Sequence, residues 1–171
     1  IQMKLSFHIA DKKKAKELGT GIEIHVAPTQ QATEWLISRK GMADIEYLDS
    51  LGFLGPEVLA VHAGWITEKG VDLIAKHDVK VCHCPGASLH GAYGSCSRGK
   101  FPELLEKKVT VALGVDASAE NNSLDMFRAM YQAATCHNEA RLARNVISPE
   151  KALEMATIDG ARALGMEQQT G

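Results

Sequence analysis

The chain has 171 residues, a length that fits one domain over 1–171, and it is 45% hydrophobic and 23% charged, as expected of a folded globular protein with a real core. A formal charge of −2 excludes a general phosphate-binding surface, so neither nucleic acid nor an anionic membrane is an expected partner. Aromatic residues make up only 5%, which leaves Val, Ile, Leu, Ala and Met to build the interior.

At the start, Ile1-Gln2-Met3-Lys4 lacks the apolar core and small-residue cleavage site of a signal peptide. No later stretch approaches the roughly 18 apolar residues of a membrane helix. The expected location is cytoplasmic. Residues 8–18 read as a helix end closed by Gly19 and Gly21, with Lys12 to Lys14 as a solvated face. Ile22-Glu23-Ile24-His25-Val26 reads as a short strand. Gln30 to Arg39 reads as a helix with Ala32, Trp35 and Leu36 on one face, and Ile45 to Leu51 gives another turn or two. Val58-Leu59-Ala60-Val61-His62 is a strongly apolar strand, and Thr67 begins a helix that turns Val71, Ile74 and Ala75 inward. Gly70 stands where a full capping box needs an acid or Gln.

Val79 to His83 is a third strand. Neighbours on a strand point to opposite faces, so His83 points away from Cys82 and Cys84, which argues against a metal cluster there. With Cys96 and Cys136 these read as ordinary reduced thiols rather than a disulfide framework. Gly86 to Gly99 reads as a long polar loop, Phe101 to Lys107 as a short helix, and Val109 to Val115 as a fourth strand. Ser123 to about Ala143 is a long helix carrying Met126, Met130 and Ala133 on its early inner face. Ser148-Pro149-Glu150 is a helix start, with a cap, Pro at the first position and an acid near the positive end. Ala161 to Leu164 continues that helix or starts a last one.

Four strands alternating with helices predict parallel pairing through crossovers, an α/β fold. No strand is followed by GxGxxG or a Walker A pattern, so dinucleotide and P-loop readings have no support. Three ionisable residues stand where apolar strands run out: His25, His62 and Asp116. Carboxyl ends of parallel strands are where sites form. Any one of the three reads more simply as a hydrogen-bonded core histidine or a capping aspartate. Three together are harder to dismiss, and two imidazoles with a carboxylate suit a borderline cation such as Zn²⁺.

The sequence resembles the amidohydrolase superfamily, in particular its cytosine deaminase-like, guanine deaminase, methylthioadenosine/adenosylhomocysteine deaminase and triazine hydrolase branch. The resemblance rests on five passages in the family's order: Gly21 to Ala27, Val61 to Thr67, Val81 to Pro85 with its Gly-rich loop, Val109 to Asp116 with Asn121 to Phe127, and Ala152 to Gly165. It implies a partial (β/α)8 TIM-type barrel comprising about its last four βα units. It also implies hydrolysis or deamination of a nitrogen heterocycle, with His25 and Asp116 binding a divalent metal, zinc or alternatively iron. Asp116 would take the proton of the attacking water, and His62 would hold or polarise that water. A bound cation brings water's pKa near neutrality, and an adjacent carboxylate can take the proton. Trp65 is read as a stacking platform or as packing.

The family's first-strand His-x-His pair has no counterpart, since His8 is the lone histidine before His25. A closed barrel takes about 250 residues, so the chain reads as a carboxyl-terminal half. Such a half need not hold the metal alone. Pro28 stands where the deaminases have a proton-shuttling Glu, with Glu34 or Gln30 as conceivable substitutes. Gly-Val-Asp-Ala at 114–117 and Ala87-Ser88 also depart from the family pattern. An open half-barrel exposes apolar surface and strand edges, which predicts a homo-oligomer, most simply a dimer, or a complementary amino-terminal half as partner. The alternative function is a non-catalytic, self-associating half-barrel that keeps the site residues. A third reading is a plain structural α/β domain with coincidental histidines. His77 and His137 are expected at the surface and His90 in a solvated loop, while His83 is read either as a core residue or as a ligand-bonding group.

Overall fold

The structure, a computed structural model, describes the backbone of residues 9–171 and side chains from residue 12 onward. The expectations for residues 1–4 and for His8 lie outside the described residues. Helix α1 (Ile9–Leu18) leads into strand β1 (Ile22–Val26), and α2 (Gln30–Lys40) and α3 (Asp44–Ser50) lead on to β2 (Val58–His62). Helix α4 (Glu68–Lys76) precedes β3 (Lys80–His83), and α5 (Pro85–His90), α6 (Ser95–Arg98) and α7 (Phe101–Glu106) precede β4 (Val111–Leu113). The chain ends through α8 (Ser118–Asn121), α9 (Met126–Arg141), α10 (Pro149–Ala156) and α11 (Ile158–Ala163). The strands form one parallel sheet in the order β1-β2-β3-β4, so the expected α/β architecture of a partial barrel is the one observed.

Each crossover buries the apolar stripe of its helices on one face of the sheet. Ile24, Val26, Val58, Ala60, Val81 and Val111 meet Ile45, Leu48, Val71, Ile74, Phe101, Leu104 and Met155 in one core. The opposite face is thinly covered: Glu23 and His25 are exposed and Leu59 and Cys82 half-buried. A cleft of about 650 Å³ on that side runs past Glu23, Leu59, Cys82 and Ala112 to Leu164. Among the described residues no helix is long and apolar enough to cross a membrane.

Thr67 and Ser148 cap helices where the sequence puts them, and Thr29 caps α2 as well. Thr29, Thr67 and Ser148 accept the N–H of Ala32, Gly70 and Lys151, which leaves each helix one fewer orphan donor. The long helix begins at Met126 rather than Ser123, because Asp125 accepts from both Phe127 and Arg128 and fixes the start there. The segment expected as a loop from Gly86 to Gly99 holds α5 and α6. Pro85 opens the first turn, and the Ser88 hydroxyl accepts the N–H groups of Ser95 and Cys96 at 3.0 and 3.3 Å, tying the two turns together. Trp35 is 46% exposed rather than inward-facing, since α2 buries Thr33 and Leu36 instead. Lys12 is not simply a solvated residue: it bonds the carbonyls of Gly52 and Leu54 and pairs with Glu57 at 3.1 Å.

Candidate active site

The sheet register brings the carboxyl ends of β1 and β2 level. His25 lies opposite Val61, and Val26 opposite His62. Strict alternation along β2 would therefore send His62 to the same face as buried Val26, away from His25. The backbone prevents this. His62 has φ 70°, Ala63 46° and Ala27 45°, the left-handed region that costs an L-residue about 1–2 kcal/mol. Hydrogen bonds hold the turn: Ala63 N–H to Val26 O, and both Gly64 and Trp65 N–H to Ala27 O. With the chain so turned, the rings of His25 and His62 meet edge to face at 4.8 Å.

Beyond β4, Asp116 is also left-handed, at φ 60°. Its Oδ1 accepts the Ala117 N–H at 2.7 Å, and its Oδ2 lies 3.6 Å from His62 Nε2. Four non-glycine residues at three strand ends, Ala27, His62, Ala63 and Asp116, take this strained conformation, and such strain clusters at functional sites. His62 is 6% exposed. Burial, and then the neighbouring His25, lower its pKa, while Asp116 and Glu120 act the other way.

Cys84, which strand reasoning left as an ordinary thiol, belongs to this group. Its Sγ, a His62 ring nitrogen and an Asp116 oxygen lie within 4.8 Å of one another. Cys82 Sγ is 4.0 Å from Cys84 Sγ, and that contact and burial push the Cys84 thiol up. Gly114 makes room for the pair, since a Cβ there would stand 2.7 Å from Cys82 Sγ. Tyr93, from the segment expected to be a loop, lies edge-on to His62 at 6.2 Å and donates its hydroxyl to Glu120 at 2.6 Å. That bond pushes the Tyr93 phenol up to about 12. The signal for Cys84 was its two-residue spacing from Cys82; Tyr93 and Glu120 had none, because only tertiary packing brings their segments together.

Other expectations resolve as follows. Gln30 and Glu34 bond to each other at 2.7 Å on the exposed side of α2. Trp65 packs: its indole N–H donates to Tyr93 O at 2.6 Å. His77 is half-buried with its Nε2 2.9 Å from Asp49 Oδ1, and His90 is exposed. His137 is not at the surface; it is 1% exposed and packs against His83, itself a core residue at 0%.

The grouped donors are His62, Asp116 and Cys84, with His25 outside that group but beside His62; imidazole, carboxylate and thiolate are what a borderline divalent cation such as zinc accepts.

Residues 7–171 match the family described as the amidohydrolase family. A 5'-deoxyadenosine deaminase from Methanobrevibacter smithii is 34% identical over 157 residues, covering 92% of this chain and 35% of that protein. A 5-methylthioadenosine/S-adenosylhomocysteine deaminase from Thermococcus sibiricus is 37% identical over 153 residues, covering 90% of this chain and 35% of that protein. An adenosine deaminase from Xanthomonas campestris, crystallised with bound zinc, superposes with TM-score 0.88 at 31% identity over 94% of this chain and 36% of that one. Escherichia coli guanine deaminase shares the fold, with TM-score 0.81 at 22% identity over 95% of this chain and 37% of that one. The chain thus spans about 35% of the length of the curated relatives it matches.

Proposed function

The chain belongs to the amidohydrolase family, and from that premise we propose that it supplies one wall of a metal-dependent hydrolytic deaminase site for an amino-bearing nitrogen heterocycle. The aminopurine of an adenosine-type nucleoside is the first candidate, on the strength of the relatives' activities. The observation that carries this reading is the convergence of His25, His62 and Asp116 through three left-handed strand ends.

In the proposed reaction a water oxygen bonds to the ring carbon, the C–N bond breaks, and the amino group leaves as ammonia. Asp116 Oδ2 takes the proton of the attacking water and returns it to the leaving nitrogen. His62 Nε2, 3.6 Å from that oxygen, holds the water and the developing negative charge. His25, whose ring meets that of His62, and Asp116 would hold the divalent cation, with zinc the preferred ion, and Cys84, grouped with His62 and Asp116, is a further candidate ligand. When bound, the cation supplies Lewis acidity that brings water's pKa near neutrality. Tyr93 and Glu120 close the edge of the site beside His62.

Completion of the site calls for a complementary segment bearing the His-x-His pair. The test is ammonia release from 5'-deoxyadenosine by the chain with zinc, alone and combined with such a segment. We expect turnover in the combination and a loss of at least about 100-fold in Asp116→Asn, the scale of general-base removal. Turnover indifferent to Asp116→Asn, or none with a complementing segment that binds, overturns the reading. The thinly covered sheet face and the outer edges of β1 and β4, unpaired among the described residues, favour a second reading, a self-associating half-barrel without activity. Stoichiometric zinc with turnover lost in Asp116→Asn would dispose of it.

A further inference from the structure

A second cluster of metal-binding side chains lies on the other face of the sheet, inside the helix-covered core. There β3, α6 and α9 bring together His83, Cys96, Cys136 and His137. The Nε2 atoms of His83 and His137 are 3.3 Å apart. A ring nitrogen of each and the Cys136 thiol lie within 4.8 Å of one another. Cys96, 7% exposed, lies beside Cys136 and donates its thiol to Pro85 O at 3.7 Å. Phe101 stacks on His83 at 3.7 Å and stands edge-on to His137 at 5.5 Å, so the rings are locked in place.

Two observations point to a ligand. Both histidines are almost wholly buried, and neither Nδ1 has a partner, so their hydrogen-bonding is directed entirely into the cluster. The spacing is also that of a metal site. Two imidazole nitrogens at about 2.0–2.1 Å from one tetrahedral ion stand roughly 3.3 Å apart. The donors are nitrogen and sulfur with no carboxylate, a set that disfavours Mg²⁺ and Ca²⁺ and favours zinc or another thiophilic ion. Cys136 is half-exposed on α9, which gives an ion a route in.

We propose that His83, His137 and Cys136 form a buried structural cation site for Zn²⁺ or a similarly thiophilic ion, with Cys96, once released from Pro85 O, as the fourth ligand. It is separate from the strand-end site, which draws on the opposite face of β3. Ion entry displaces the protons of the Cys136 and Cys96 thiols, and two thiolates neutralise the divalent charge inside the core. The ion would fasten β3, α6 and α9 together.

The test is Co²⁺ titration of the metal-free full chain carrying His25→Ala and Asp116→Asn, which disables the strand-end site. The readouts are the sulfur-to-cobalt charge-transfer band and native mass spectrometry, with circular dichroism as the check on folding. We expect one Co²⁺ per chain with a thiolate band, displaced by Zn²⁺ and retained when Cys84→Ser is added. Cys136→Ser should weaken binding at least tenfold, as should His137→Phe, which keeps an aromatic ring against Phe101. A folded chain that takes up no cobalt overturns the proposal. So does a band that survives both substitutions.

Discussion

Asp44 is a half-buried carboxylate beside the end of β1. Its Oδ1 accepts the Ala27 N–H at 3.2 Å and so helps hold the left-handed end of β1, and the Thr33 side chain lies beside the carboxylate. Burial is the main cause that pushes its pKa above the ordinary 3.8. The sign follows from that direction. Folding favours the protonated form, so the penalty is absent below 3.8, grows as pH rises through the folded value, and is carried in full at neutral pH. Asp44→Asn keeps the oxygen acceptor and removes the charge. It should raise the thermal midpoint at pH 7 by about 2–4 °C, the effect of ~1 kcal/mol in a domain of this size. The gain should shrink as the melts are repeated at lower pH. A midpoint that falls at every pH would mean that the charge itself is needed to hold Ala27.

At the scale of the elements, the close approach of β2 to α6 is the contact that shapes the site. A Cβ on Gly64 would stand 2.6 Å from Ser95 Cβ, so only glycine lets α6 approach this closely. Ser95 and Cys96 are held in turn by the Ser88 hydroxyl, which links α6 to α5. Gly64→Ala should therefore cost about 1–3 kcal/mol, the range of overpacking, read from the urea midpoint at unchanged slope. An unaltered midpoint would show that α6 can move aside freely. The N-caps make a smaller contribution: Ser148→Ala should lose about 1 kcal/mol by the same measurement.

At the scale of the whole molecule, the distribution of cover is uneven. Helices bury one face of the sheet, while Glu23 and His25 on the other face are exposed. Among the described residues the outer edges of β1 and β4 have no strand neighbour and offer backbone groups to another chain. We expect the purified chain to be a dimer or larger at micromolar concentration, measured by size-exclusion chromatography with light scattering. A clean monomer would show that this face tolerates water unaided.

Much of this was legible in the sequence, for reasons that are local. Period-two alternation marked Ile22–Val26, a continuous apolar run marked Val58–His62, and Thr67 and Ser148 marked helix starts, because strand patterning and capping act over a few residues. The parallel α/β order followed from that alternation, and His25, His62 and Asp116 were visible as polar residues ending apolar strands. What only the tertiary structure decided depends on distant segments meeting. Alternation alone sends His62 to the wrong face; the turn at φ 70°, held by bonds to Val26 and Ala27, brings its ring to His25. Cys84, Tyr93 and Glu120 join the site only through packing across the sheet ends. His137, on a helix whose exposed residues include Phe127 and Tyr131, lies in the core because Phe101 and His83 come to meet it from other elements. Sequence periodicity reports which face a residue takes along its own element, and it carries no record of what that face will meet.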